Sequence, residues 1–329
     1  MSGRKSSGWT LDVLGQGFEQ YTLELQPDDE GDVVATVVRH LPNPLTAWNK
    51  PLRNVDVLYV HGWSDYFFQR EEARFFTELG ARFYALDLRK YGRSLRDGQT
   101  PGYITDLATY DEDIEGAIQL IGQGRNASRL LVLVGHSTGG LILTLWAARH
   151  PGVAAALILN SPWLELQIGS LGRAALAPIV GVRARYEPRG TQPVVDLGFY
   201  TRAQHDLGAG AEAYPAWRPE RGFPTHPGWL NAIILGHSKI AEGVDVGCPV
   251  LVLLSMRSTP PVRWVTAMTS SDSVLVVDDI ARASLKIGKL VTVARIEDAI
   301  HDVFLSAPGA RAEAYAVLRN WVVAAHTSL

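Results

Sequence analysis

The reading turns on Leu130-Leu-Val-Leu-Val-Gly135-His136-Ser137-Thr138-Gly139-Gly140-Leu-Ile-Leu-Thr-Leu-Trp146-Ala-Ala148, nineteen residues with no formal charge at neutral pH. The run is long enough to cross a bilayer, but the Gly135–Gly140 segment interrupts it at its centre. Split there, it becomes a buried strand Leu130–Val134, a tight turn, and a helix Gly139–Arg149 stopped by Pro151-Gly152. Gly135-His136-Ser137-Thr138-Gly139 matches G-x-S-x-G, and the match falls between an apolar strand and an apolar helix. In that position the flanking glycines let strand and helix approach, and the serine hydroxyl stands above the sheet with a helix N-terminus behind it. The competing reading is a Gly-rich turn whose serine merely caps the helix.

Working outward, strands and helices alternate. Tyr21–Gln26 and Val33–His40 read as strands joined by the turn Pro27-Asp-Asp-Glu-Gly31. Val55–Val60 is a continuous apolar run, as expected of a strand buried on both faces. Glu71–Leu79 reads as helix, Arg82–Leu88 and Ala155–Asn160 as strands. Leu107, Tyr110, Ile114, Ala117, Ile118 and Ile121 predict an amphipathic helix over Asp106–Ile121. Such alternation implies a parallel sheet with helices on both faces. From Glu165 to about Val246 it fails, amid Pro178, Pro188, Pro193, Pro215, Pro219, Pro224 and Pro227. It resumes with Pro249–Leu254, Asp279–Lys286, Leu290–Arg295 and Arg311–Ala325. The expected organisation is one α/β core from residues 1–164 and 246–329, with residues 165–245 inserted as a cap.

Composition limits the partners. Of 329 residues 47% are hydrophobic and 20% charged, which excludes a disordered or fibrous chain. Lys+Arg 31 against Asp+Glu 34 leaves a net charge of −3, with no run of like charge, which argues against nucleic acid. Cys248 has no second cysteine to pair with, so the fold does not depend on an oxidising compartment. The segment Met1–Trp9 has basic residues but no apolar run after them, and does not read as a signal peptide. A cytoplasmic chain without a stable membrane anchor is the expectation; its oligomeric state leaves no mark in the sequence.

A serine nucleophile needs a base. His301 follows the last strand by a short loop and precedes the final helix. His136 is fixed by its strand and should point elsewhere than to the serine. His40, His150 and His326 read as surface or capping residues. His205, His226 and His237 fall in the insertion. The orienting acid belongs after Pro249–Leu254, where Asp272, Asp278 and Asp279 stand. Asp278 and Asp279 precede a helix they are placed to cap, so Asp272 is preferred with those two left open. Asp298 and Asp302 flank His301 too closely to be first choices. The oxyanion needs two backbone donors. The N–H of Thr138 is one, and the loop Val60-His61-Gly62-Trp63 offers Trp63 as the other, its ring lining an acyl pocket unless it is a core tryptophan.

These residues together resemble the α/β-hydrolase superfamily, and within it the monoacylglycerol lipase and lysophospholipase group often filed with the serine aminopeptidase S33 family. The resemblance rests on His61-Gly62-Trp63, Asp87-Leu-Arg-Lys-Tyr-Gly92-Arg-Ser94, the turn at Ser137, Ser271-Asp272-Ser273-Val274-Leu275 and His301-Asp302-Val303-Phe304. It implies a mostly parallel eight-stranded sheet with helices on both faces and an inserted cap. It implies a Ser137–Asp272–His301 triad with Trp63 and Thr138 as oxyanion donors. The implied substrate is a small-molecule acyl ester, and neither metal nor organic cofactor is needed. Lys90 and Tyr91 stand where relatives usually carry Gly and His, a change expected at the site rim. Val276 stands where relatives often carry a second aspartate. Ser137 argues against dehalogenases and epoxide hydrolases, which place an aspartate there.

In the insertion Tyr186, Phe199, Tyr200, Tyr214, Trp217, Phe223 and Trp229 form an aromatic-rich set. Trp63, His136, Phe199, Tyr200, Trp217 and Trp229 are the substrate-lining candidates, with packing as the alternative role. Arg183, Arg185 and Arg189 are candidates for an anionic group. A peptidase using the same triad would need an anchor for an amino terminus, for which Glu165, Glu187 and Glu212 are available. A non-catalytic receptor would have no reason to retain the triad.

Overall fold

The computed structural model describes residues 8–122, 129–191, 196–210 and 214–328. In chain order the strands and helices are β1 (Thr10–Leu11), β2 (Phe18–Glu24), β3 (Val34–His40), α1 (Pro44–Ala47), β4 (Val55–Val60), α2 (Arg70–Glu78), β5 (Arg82–Asp87), α3 (Asp111–Gly122), β6 (Leu130–His136), α4 (Thr138–Arg149) and β7 (Ala156–Asn160). Then follow α5 (Gly169–Tyr186), α6 (Phe199–Asp206), α7 (Pro227–Glu242), β8 (Val250–Ser255), α8 (Val277–Ser284), β9 (Val291–Ile296) and α9 (Pro308–Ser328).

One open sheet carries the chain, in the order β1-β2-β3-β5-β4-β6-β7-β8-β9. The β1/β2, β2/β3 and β3/β5 pairings are antiparallel and the rest parallel. The sheet has nine strands rather than the expected eight. The extra one is β1, whose two residues pair with Gln20 and Glu19 at the edge, too short to show a periodicity. The Asp106–Ile121 helix is divided: Leu107–Tyr110 is a 3-10 turn that Asp106 caps, and α3 begins at Asp111.

All six residues of β4 are buried because both faces are covered. Leu58 and Val60 pack with α3 and α4 through Ile114 and Leu141, while Val57 and Tyr59 pack with α2 and α9 through Phe76 and Leu318. That is why the strand reads as unbroken apolar sequence rather than as alternation. Between β7 and β8 the described residues contain helices α5, α6 and α7 and no strand. α5 runs through Pro178, although a mid-helix proline removes a hydrogen bond and typically costs about 3 kcal/mol.

Candidate active site

The turn at Ser137 is built by close approach. A side chain on Gly139 would stand 2.4 Å from the carbonyl oxygens of Val60 and His61, so only glycine brings α4 against the end of β4. Ser137 itself adopts φ 51° and ψ −117°, a conformation that costs on the order of 1–3 kcal/mol in a non-glycine residue. Its N–H donates to the Asn160 carbonyl at 3.0 Å, and its carbonyl accepts from Trp163 N–H at 2.9 Å. Its hydroxyl does not cap α4, so the capping alternative does not describe this serine. A Cβ on Gly62 would lie 3.0 Å from Ser137 Cβ, which places the His61–Trp63 loop directly over the serine.

His301 lies on the loop after β9 and is buried. Its Nδ1 meets Asp272 Oδ2 at 2.9 Å. The other oxygen, Asp272 Oδ1, accepts from Val274 N–H at 2.7 Å and Leu275 N–H at 2.8 Å, and the carboxylate is wholly buried. Asp272 is therefore locked from both sides. Asp278 and Asp279 are elsewhere: they sit in the first turn of α8 without capping it, and pair with Arg295 and Arg282 at the surface. The expected capping duty is replaced by ion pairs.

His136 bonds the Asn160 carbonyl and faces the His301 ring: its Nδ1 donates at 3.1 Å, and the two rings lie 5.0 Å apart. Burial, with the His301 charge adding to it, lowers its pKa against the raising effect of Asp302 and Asp65. His61 is buried and accepts Leu88 N–H on Nε2 at 3.1 Å, which leaves its proton on Nδ1, donated to the Gly62 carbonyl at 2.7 Å. Burial holds His61 below the usual histidine range, so it braces the loop as a neutral ring.

The loop is held from below by the Asp87–Ser94 motif. Asp87 accepts Phe67 N–H at 2.9 Å and Arg93 N–H at 3.0 Å, and the Arg93 guanidinium bridges Asp87 at 2.8 Å and Asp12 at 2.6 Å. Lys90 adopts φ 63°, the left-handed region in which glycine is at ease, and its buried ammonium reaches Asp28 at 2.5 Å and Glu30 at 2.6 Å. The expected effect on a site rim is thus divided. Lys90 ties the β2–β3 turn, while Tyr91 lies edge-on to His61 at 4.8 Å and Trp63 at 5.9 Å.

Thr138 is the first residue of α4, so its N–H has no acceptor within the helix. The Trp63 ring lies 3.8 Å from Trp229 of α7 and 6.3 Å from Phe223. The α5–α7 segment also touches the loop through polar contacts. Ser64 Oγ accepts Phe223 N–H at 3.0 Å, Tyr66 Oη accepts Tyr214 N–H at 2.8 Å, and Asp65 pairs with Arg218 at 2.9 Å. Burial raises the Asp65 pKa despite that arginine. Tyr200 stands edge-on to His301 at 5.3 Å, and its hydroxyl accepts Asp302 N–H at 3.2 Å.

Of the aromatic candidates, His136 and Tyr200 lie against His301, while Trp63 and Trp229 pack on each other at the loop after β4. Phe199 packs on Trp264 at 6.1 Å and Trp217 on Tyr66 at 5.2 Å, while Tyr186 is 76% exposed. Arg189 is engaged by Asp29 and Arg183 lies beside Glu187, so neither is a ready anion site. Glu165 is held by Arg173 at 2.8 Å and Glu187 lies at the surface; Glu212, Pro193 and the side chain of His326 fall outside the described residues. The contacts from Ser64, Asp65, Tyr66 and Asn160 were not anticipated. Their only signal is polarity: a Ser-Asp pair after His61-Gly62-Trp63 and an asparagine closing an apolar strand.

An open, mostly parallel sheet, helices on both faces and a serine at the strand-to-helix turn after β6 define an α/β-hydrolase fold. Residues 54–213 match the family described as serine aminopeptidase, S33. A monoacylglycerol lipase of Mycolicibacterium smegmatis is 32% identical over 129 residues, 38% of this chain and 44% of that protein, so the alignment spans less than half of the relative. Among solved structures, a soluble variant of monoglyceride lipase from Saccharomyces cerevisiae in complex with a substrate analogue superposes with a TM-score of 0.63 at 13% identity, covering 92% of this chain and 94% of that one. A carboxyl esterase from Bacillus coagulans in complex with glycerol gives 0.62 at 15% identity, covering 93% and 99%. The monoacylglycerol lipase of Paleococcus ferrophilus gives 0.59 at 17%, covering 93% and 99%. No helix among the described residues is long and apolar enough to cross a membrane.

Proposed function

We propose that the chain is a serine carboxylester hydrolase acting on small acyl esters of the monoacylglycerol or lysophospholipid kind. The observation that carries this reading is the buried Asp272–His301 pair, 2.9 Å apart, together with a strained, uncapped Ser137 that follows His136, whose ring lies 5.0 Å from that of His301. Ser137 Oγ attacks the ester carbonyl while His301 Nε2 takes its proton. Asp272 holds the Nδ1–H tautomer and stabilises the imidazolium. The N–H groups of Trp63 and Thr138 receive the oxyanion. His301 returns the proton to the departing alkoxide, leaving an acyl-enzyme. Water, deprotonated by His301, then releases the carboxylic acid and restores the serine. None of these steps calls on a metal or an organic cofactor.

Residues 165–245 act as the cap in this reading. The pairing of Trp229 with Trp63 and the edge contact of Phe223 supply an apolar wall for an acyl chain beside the oxyanion loop. Of the described candidates for a peptidase anchor, Glu165 is engaged by Arg173 and Glu187 faces outward. The test is turnover of p-nitrophenyl esters of graded acyl length. Ser137→Ala is expected to abolish it, a loss on the order of 10⁴-fold or more in kcat. Undiminished turnover in that variant would refute the assignment.

A further inference from the structure

Asn160 closes β7, the strand beside β6 in the sheet, and is wholly buried. Its backbone holds the serine turn: the carbonyl accepts both Ser137 N–H at 3.0 Å and His136 Nδ1–H at 3.1 Å. Its side chain holds the loop that carries His301. Nδ2 donates to Asp302 Oδ1 at 2.7 Å, and Oδ1 accepts Val303 N–H at 3.2 Å. Asp302, the residue after His301, is buried as well, and its Oδ1 also accepts Phe304 N–H at 3.0 Å. One residue thus grips both halves of the reacting pair, through bonds shielded from water.

We propose that Asn160 is a positioning residue, and that its amide bond to the Asp302 carboxylate sets the spacing of Ser137 and His301. The inference rests on the serine-hydrolase reading. Few side chains satisfy this position. It must donate to a carboxylate and accept from a backbone N–H in one plane, which a primary amide does and a carboxylate does not. An apolar substitute would leave Asp302 Oδ1 short of a donor and Val303 N–H unpaired in a buried place. Displacement of a reacting group by about 1 Å costs roughly 10²-fold in rate, so a bracket of this kind acts on kcat rather than on substrate affinity.

The experiment is a kinetic suppression series on the full chain with p-nitrophenyl butyrate. Asn160→Asp sets two carboxylates face to face and is expected to lower kcat at least about 30-fold, with KM within about twofold. Adding Asp302→Asn remakes the hydrogen bond with donor and acceptor exchanged, and restores at least about tenfold of the loss; Phe304 N–H stays unpaired, so recovery is partial. A second comparison serves where Asn160→Asp fails to fold. Asp302→Asn keeps an oxygen for Asn160 and loses no more than about threefold in kcat, whereas Asp302→Ala loses about tenfold or more. No gain from the second substitution, or equal losses in Asp302→Asn and Asp302→Ala, overturns the proposal. Wild-type protein that turns over ester while Asn160→Asp matches it removes this inference alone; an inert wild type removes the hydrolase reading and this inference with it.

Discussion

The serine turn and the α5–α7 segment are built on opposite principles. Around Ser137 the contacts are backbone to backbone: β4, β6 and β7 meet in fixed register, and glycines let α4 lie on the chain. The α5–α7 segment is joined to the loops after β4 and β9 by contacts that each involve a side chain: the Asp65–Arg218 pair, the Ser64 and Tyr66 hydroxyls accepting Phe223 and Tyr214 N–H, Tyr200, and Trp229 against Trp63. Its outer helix leaves Leu171 87%, Ile179 68% and Val182 62% exposed, whereas every residue of β4, β7 and β8 is buried. Backbone contacts resist displacement of the reacting atoms. Side-chain contacts at a surface segment break one at a time. On the proposed function, the difference would leave chemistry to the core and access to the α5–α7 segment.

That division can be broken most severely at the acid. Asp272→Asn should lower kcat on the order of 10⁴-fold in ester hydrolysis by favouring the wrong imidazole tautomer, with little change in overall fold. Next comes the joint between the regions. Arg218→Met leaves Asp65 buried without its cation, a change that typically costs about 3–5 kcal/mol. The expected result is a KM raised about tenfold, kcat within about threefold, and faster proteolysis between residues 187 and 222. A collapse of kcat equal to that of Asp272→Asn would show that the two regions are not separable.

Acid sharpens the comparison inside the α5–α7 segment. His237 on α7 donates from Nε2 to the Trp163 carbonyl at 2.8 Å, and burial pulls its pKa from 6.5 down to about 4. The unfolded chain takes up this proton below pH 6.5 while the folded one resists until about pH 4. Stability from this group is therefore complete above pH 6.5 and is lost as pH falls toward 4, by about 3 kcal/mol in all. Replacing it by His237→Gln should reduce the difference in unfolding free energy between pH 7 and pH 4.5, measured by urea titration. The smallest effect belongs to Asp279→Asn, which breaks a surface pair with Arg282 and should leave kcat within about twofold.

The same contrast explains what the sequence made legible. Strands such as Val55–Val60 and Leu130–Val134 announce themselves because burial on both faces forces unbroken apolar runs. The turn at Ser137 announces itself because close approach demands glycines at fixed spacing. α5 does not, since its apolar residues face both α7 and solvent and Pro178 reads as a break. Asn160 went unremarked for another reason. Its partners Asp302 and Val303 lie more than 140 residues away, and long-range hydrogen bonds leave no local pattern. The partner of His301 stays open between three aspartates in the sequence because loop geometry, not spacing, brings Asp272 to it.

The central claim is that Ser137 is the nucleophile activated by His301. Its most direct test is to treat the protein with a fluorophosphonate and map the adduct by peptide mass spectrometry. The account predicts one phosphonyl group on the Ser137 peptide, absent in Ser137→Ala and formed far more slowly in Asp272→Asn. An unlabelled wild-type chain, or an adduct on another residue, would contradict it.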